Sequence, residues 1–261
     1  MITSTIKHRV KSFPEIQKES HHRLFIFAES RSGSTWLINT LDSHNEIGLL
    51  DEVINPDYIK NLNFDNSGND QAKPESALQK IEFQVGRLKG KYKGCKILFP
   101  QAIRFIDFYE FILNYRNAFF IVLCRQNSIR AEISGLIANE YARWHLAEKM
   151  EKQQISVDPS FLYERLLWRK HTKHFCINML ESYCHHLLQI EYLDLFSNTR
   201  ETLENISAFL DISPYGYNYS TEIKSNPFPL TELITNYEEC LDFFKDKPEY
   251  SSFFFNDGPQ E

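Results

Sequence analysis

One junction near the N-terminus narrows the possible folds more than any other stretch. Leu24–Ala28 (LFIFA), an uninterrupted apolar run, passes directly into Glu29-Ser30-Arg31-Ser32-Gly33-Ser34-Thr35-Trp36. A strand without polar alternation is buried on both faces, as parallel strands covered by helices are. Thr35–Leu41 then has the look of a helix, so the junction is strand, small-residue loop, helix. Phe119–Cys124 (FFIVLC) is a second buried strand, and Lys96–Phe99 and Leu187–Glu191 are shorter candidates. Helices are predicted over Ile129–Glu148, with Ile133, Leu136, Ile137 and Tyr141 at helical spacing, and over Phe161–Tyr183 and Thr202–Leu210. Strands alternating with helices predict an α/β fold, a parallel β-sheet flanked by helices.

At 261 residues the chain suits a single domain with a core large enough to need no staples. Residues 1–21 read as an N-terminal extension and 61–76 as an insertion or lid. Asn218–Leu230 reads as irregular, and the Phe-rich stretch Tyr250–Asn256 is expected to pack back on the body. The net charge of −6 disfavours general nucleic-acid binding, which needs a basic face, but leaves room for a local anion pocket. Five scattered cysteines without a CxxC pair read as buried thiols of a reducing compartment. No apolar run approaches the ~18 residues of a membrane span, and residues 1–13 carry no signal-peptide core. The expectation is a cytoplasmic protein.

The loop after the first strand has the chemistry of a phosphate cradle. A helix N-terminus presents unpaired N–H groups and the positive end of its dipole. Ser32, Gly33 and Ser34 let an anion approach the backbone, Ser34 and Thr35 add hydroxyls, and Arg31 adds a fixed charge. Neither GxxxxGK[ST] nor GxGxxG is present, so the loop is neither a Walker A loop nor a dinucleotide fingerprint. A second candidate follows Phe119–Cys124. Arg125 at the strand's carboxyl end and Ser134 two turns into the next helix can converge on one anion, the arginine as a fork and the serine as a hydroxyl donor.

The segment Arg31–Leu37 (RSGSTWL) resembles the 5′-phosphosulfate-binding loop of the sulfotransferases, which take a sulfuryl group from 3′-phosphoadenosine 5′-phosphosulfate (PAPS). Arg125 and Ser134 resemble, in order and distance, that family's pair for the 3′-phosphate. Weaker likenesses are Gly94–Gln101, similar to the third-strand region of bacterial carbohydrate- and lipopolysaccharide-type members, and Gln189–Leu195, similar to the family's YEDL segment with its order altered. The resemblance covers roughly residues 22–210 and implies a P-loop-like sulfotransferase fold. It implies PAPS as co-substrate without a metal, and a hydroxyl acceptor on a sugar or glycolipid. The nucleotide would be held by Arg31, Ser32, Gly33, Ser34, Thr35, Trp36, Arg125 and Ser134, with Lys224 contributing from a late loop.

Sulfuryl transfer needs a base for the acceptor hydroxyl and a cation at the leaving oxygen. Arg31 suits the cation. The KxHLP histidine segment of members acting on phenols is absent, and Glu52 stands where carbohydrate-type members place a glutamate base. A carboxylate beside apolar neighbours is expected to have a raised pKa. His44 and Asp51 are the alternatives. His171, His174 and Cys176 lack the partners of a metal site and read as a solvated helix face. Two rival functions stay open: a nucleotide-binding module without transfer activity, and a P-loop-like kinase. Against the kinase stand the missing Lys-Ser/Thr and the lack of a clear Walker B aspartate.

Overall fold

A computed structural model describes residues 22–55, 76–141, 152–220 and 228–255. The N-terminal extension, the 61–76 stretch apart from Ser76, the end of the predicted Ile129–Glu148 helix, and Lys224 lie outside the described residues.

Five strands form one all-parallel sheet in the order β2-β3-β1-β4-β5. They are β1 (His22–Ala28), β2 (Ile47–Leu50), β3 (Tyr92–Leu98), β4 (Phe119–Cys124) and β5 (His186–Glu191). The apolar run of β1 lies at the centre, where Ala28 pairs with both Leu98 and Leu123. The crossovers place α1 (Ser34–Asp42), α2 (Ala77–Val85), α3 (Phe99–Phe105), α4 (Phe108–Tyr115), α5 (Ser128–Glu140) and α6 (Pro159–Tyr183) on the two faces. After β5 come α7 (Tyr192–Ser197), α8 (Thr199–Leu210), α9 (Leu230–Leu233), α10 (Tyr237–Phe244) and α11 (Pro248–Phe255).

The period of two along β1 sorts its side chains into different cores. Phe25 and Phe27 join Phe99, Phe108, Phe111 and Phe120 in an aromatic layer beneath α2, α3 and α4. Leu24, Ile26 and Ala28 join Leu37, Leu41, Ile121 and Leu123 in an aliphatic layer beneath α1 and α8. Where β1 meets β3, a Cβ on Gly94 would fall 1.5 Å from the Leu24 carbonyl oxygen, so only glycine fits that register. A third core gathers α5, α6, α10 and α11, and it includes Tyr250 and Phe254. The C-terminal aromatic stretch therefore packs on the body as expected.

Two strands differ from the expectation. β2 was not foreseen: it has four residues, one of them Gly48, too few to produce a pattern. β3 begins four residues before the predicted Lys96, because Lys93 and Gly94 interrupt its apolar run while both remain buried. The five cysteines are free thiols, four of them buried. No described helix is long and apolar enough to cross a membrane.

Candidate active site

In an all-parallel sheet every carboxyl end lies on one edge. The chain leaves β1 toward β2 on one side and leaves β4 toward β5 on the other, so the winding reverses between the adjacent strands β1 and β4. That crevice is the usual ligand position of open α/β sheets.

The loop after β1 turns through two left-handed residues, Arg31 (φ 61°) and Gly33 (φ 76°). Such a turn curls successive N–H groups toward a common point. Gly33 is required there, since a Cβ would also meet the Phe196 ring at 2.8 Å. It begins α1 with no side-chain cap on the helix N–H groups, which leaves them for an anion. The Ser32 hydroxyl donates to the Glu29 carbonyl at 2.6 Å, closing the loop on itself. Ser32 thus has its backbone, not its hydroxyl, to offer. The Thr35 oxygen accepts from Lys96 Nζ at 3.1 Å. The Trp36 indole donates to the Ser220 carbonyl at 3.0 Å and packs against Phe196 and Tyr219.

The loop after β4 is locked to the first. Arg125 N–H donates to Glu29 Oε2 at 2.7 Å, and its Nη1 donates to the Arg31 carbonyl at 2.6 Å. Arg31 Nε donates to Ser134 Oγ at 3.0 Å. The residues expected at the two anion sites are therefore brought together. The Arg125 guanidinium lies over the Tyr192 ring at 4.3 Å, and its Nε is buried with no hydrogen-bond partner. Burial pushes this guanidinium down to about 10, and Arg130, Arg169 and Arg31 push the same way. A buried donor without an acceptor leaves a contact that an anion would satisfy. Arg130 Nη2 donates to the Phe228 carbonyl at 2.7 Å, tying the late segment to the same helix.

Beneath both loops lies a buried ion network that sequence reasoning missed. Arg169 donates to Glu29 Oε1 at 2.8 Å, to Glu132 Oε1 at 2.9 Å and to the Ser30 carbonyl at 2.7 Å. Burial alone would depress its guanidinium, but the two carboxylates more than offset that and hold it above its ordinary value. Glu29 serves both loops: one oxygen takes Arg169, the other the Arg125 N–H.

The candidate bases fall at opposite ends. Because α1 runs back across the sheet, His44 is buried at the far edge, where its Nδ1 accepts from Glu46 N–H and its ring meets Tyr217. β2 then returns the chain to the site edge and delivers Asp51 and Glu52. Glu52 stands among polar groups, not the apolar neighbours expected from Leu49, Leu50 and Val53. It accepts from Gln101 at 2.7 Å and Asn55 at 2.9 Å and forms an ion pair with Lys96 at 3.2 Å. Lys96 is 1 % exposed; it pairs with the carboxylates of Asp51 at 2.5 Å and Glu52 at 3.2 Å and donates to Thr35, so its buried charge is met from three sides. Lys96 is the second buried charge at this edge that sequence reasoning missed. A cleft of about 430 Å³ opens beside Arg31, between α3, α5 and α6.

No protein-family model and no curated protein matches this chain. Among solved structures, a sulfotransferase from Alicyclobacillus acidocaldarius superposes with a TM-score of 0.51 at 12% identity, over 90% of this chain and 96% of that one. The sulfotransferase domain of the curacin biosynthetic pathway gives 0.39 at 15% identity, over 77% and 80%. The sulfotransferase domain of the Synechococcus PCC 7002 olefin synthase gives 0.41 at 18% identity, over 92% and 90%. At such identities the likeness to the Alicyclobacillus enzyme is one of architecture, and this chain has the α/β fold seen in a sulfotransferase.

Proposed function

We propose that this protein is a sulfotransferase that uses PAPS to sulfate an acceptor hydroxyl. The observation that carries the reading is the pairing of the two anion loops. Arg31 bonds Ser134, Arg125 bonds the Arg31 carbonyl, and the Arg125 Nε stays unsatisfied beside them. Bound PAPS would supply an activated sulfuryl group whose S–O bond to the 5′-phosphate breaks as the acceptor oxygen bonds sulfur, the electron pair staying on the phosphate.

This chain's residues divide the work. The first-turn N–H groups of α1, with Ser34 and Thr35, suit the 5′-phosphate, while Arg125 and Ser134 suit the 3′-phosphate. Trp36 belongs to the wall of the nucleotide site, and Lys224 joins as a further cation. Arg31 faces negative charge gathering on the leaving oxygen. Glu52 takes the acceptor proton. Its hydrogen bonds from Gln101 and Asn55 both go to Oε2, while Oε1 has only the ion pair with Lys96 among the described residues, which leaves Oε1 to take the proton. Lys96 acts as a positioning residue, because it holds Asp51, Glu52 and Thr35 at once. The acceptor belongs to the sugar or glycolipid class, entering through the cleft beside Arg31.

The test is transfer from labelled PAPS to a panel of glycans, lipids and phenols, together with Glu52→Gln. The variant keeps its affinity for adenosine 3′,5′-bisphosphate and loses turnover by roughly 10²–10⁴, the usual worth of a general base. Near-normal turnover removes Glu52 from the mechanism. Nucleotide binding with no transfer to any acceptor leaves a binding module in place of an enzyme.

A further inference from the structure

The cleft beside Arg31 runs out onto an exposed aromatic line. Phe161 and Trp168 of α6 line it, and Phe175 continues the series at the same seven-residue step. Residues seven apart lie nearly on one helix face, so the three rings form a stripe about 20 Å long. They are 47%, 44% and 50% exposed. Single exposed rings are ordinary on any surface, but three in a row leading from a cavity are not. The stripe is anchored from below, where Phe175 packs against Phe108 with ring centroids 6.1 Å apart.

Charge along the stripe is uneven. Arg165 lies over Phe161, but its Nε is held by Glu132 at 2.7 Å. Arg104 lies over the Trp168 ring, 5.0 Å from its centroid, and has no carboxylate partner among the described residues. One available guanidinium therefore stands where the cleft passes into the stripe.

Resting on the sulfuryl-transfer reading, we propose that the acceptor is an anionic amphiphile. Its hydroxyl-bearing head enters the cleft toward Arg31, a carboxylate or phosphate meets Arg104, and an apolar chain lies over Trp168 and Phe175. The order of groups on the ligand follows the order of groups on the protein: cation at the sulfur end, cation at the mouth, rings outside. From Trp168 to Phe175 the stripe offers about 10 Å for the chain.

The experiment is a two-by-two acceptor set, assayed with PAPS below micellar concentrations: methyl and octyl glucosides, methyl and octyl glucuronides. Octyl glucuronide has the lowest KM. Replacing octyl by methyl raises KM by about 10–100-fold, the worth of a chain half covered on an open surface. Replacing glucuronide by glucoside raises it by about 5–10-fold. Phe175→Ser collapses the octyl-to-methyl ratio, and Arg104→Gln collapses the glucuronide-to-glucoside ratio. Equal KM values across the set, or ratios that survive in the variants, overturn the proposal. Binding of octyl glucuronide is read separately by tryptophan fluorescence, with Trp168→Phe assigning the signal. If it binds there and no sulfuryl group moves, the transfer reading fails and the cleft chemistry stands. If adenosine bisphosphate binds but octyl glucuronide does not, the amphiphile proposal fails alone. If anionic vesicles without acceptor bind through the stripe and compete with octyl glucuronide, the stripe is a membrane-docking face and the proposal is overturned.

Discussion

The loops after β1 and β4, the two anion sites proposed here, are built to different designs. The first is made of backbone: two left-handed residues, a glycine that admits no Cβ, and an uncapped helix start. The second is made of side chains. Asn127 caps α5 through the Arg130 N–H, and the contacts proposed at this end come from the side chains of Arg125 and Ser134. A backbone site tolerates changes of side chain and fails when its path is bent. A side-chain site fails by deletion and leaves the path intact.

The largest effect is expected where the two designs share a support. Arg169→Leu leaves Glu29 and Glu132 buried without their common partner, a loss of about 3–5 kcal/mol. The melting temperature should fall by about 10 °C. Affinities for 5′-AMP and for adenosine 3′,5′-bisphosphate should fall together, and a loss confined to one of them would break the idea of a common support. Arg125→Ala sharpens the contrast. It should weaken the bisphosphate by about 2–4 kcal/mol and leave 5′-AMP nearly unchanged in calorimetric titration. Gly33→Ala is its opposite. About 1–2 kcal/mol of left-handed strain should appear as lost stability, and both nucleotides should weaken alike. Should Gly33→Ala spare 5′-AMP, the first loop is not a backbone site.

The smallest effect concerns Glu191, at the end of β5 with a buried, unpartnered Oε2. Burial raises its carboxyl above the ordinary value of 4.5; Glu29 and Asp194 add to this and Lys173 opposes it. The unfolded chain therefore gives up this proton first as pH rises. Stability falls from the ordinary carboxylate range up through the raised value, and the charge is a cost at neutral pH. Glu191→Gln should melt about 1 °C higher at pH 7 and show no gain at pH 3. An equal gain at both pH values would point to packing instead of charge.

What the sequence reveals of this molecule is what acts locally. LFIFA and FFIVLC read as central strands because burial on both faces writes itself as an unbroken run. The strand–loop–helix form of the two candidate loops is legible for the same reason: each sits on one strand end and the helix beside it. Lys96, Glu29 and Arg169 carry no such mark. A lysine in an apolar strand has no meaning until Asp51 and Glu52 arrive on a different strand, and the partner of Glu29 lies 140 residues along the chain. Glu52 is singled out by its place after the loop, but its surroundings differ from the expectation, because Lys96 and Gln101 reach it from β3 and α3. His44, weighed as an alternative base, belongs to the opposite edge once β2 is seen to return the chain.

The hydrogen bond from Arg125 to the Arg31 carbonyl spans 94 positions. Neither loop has its final form until β4 has docked beside β1, and parallel strands joined through long crossovers are slow to find one another. The proposed nucleotide site is then among the last things the chain completes. A ligand that bridges it arrives too late to guide folding, and acts as a latch on the finished protein, lengthening its lifetime without hastening its birth.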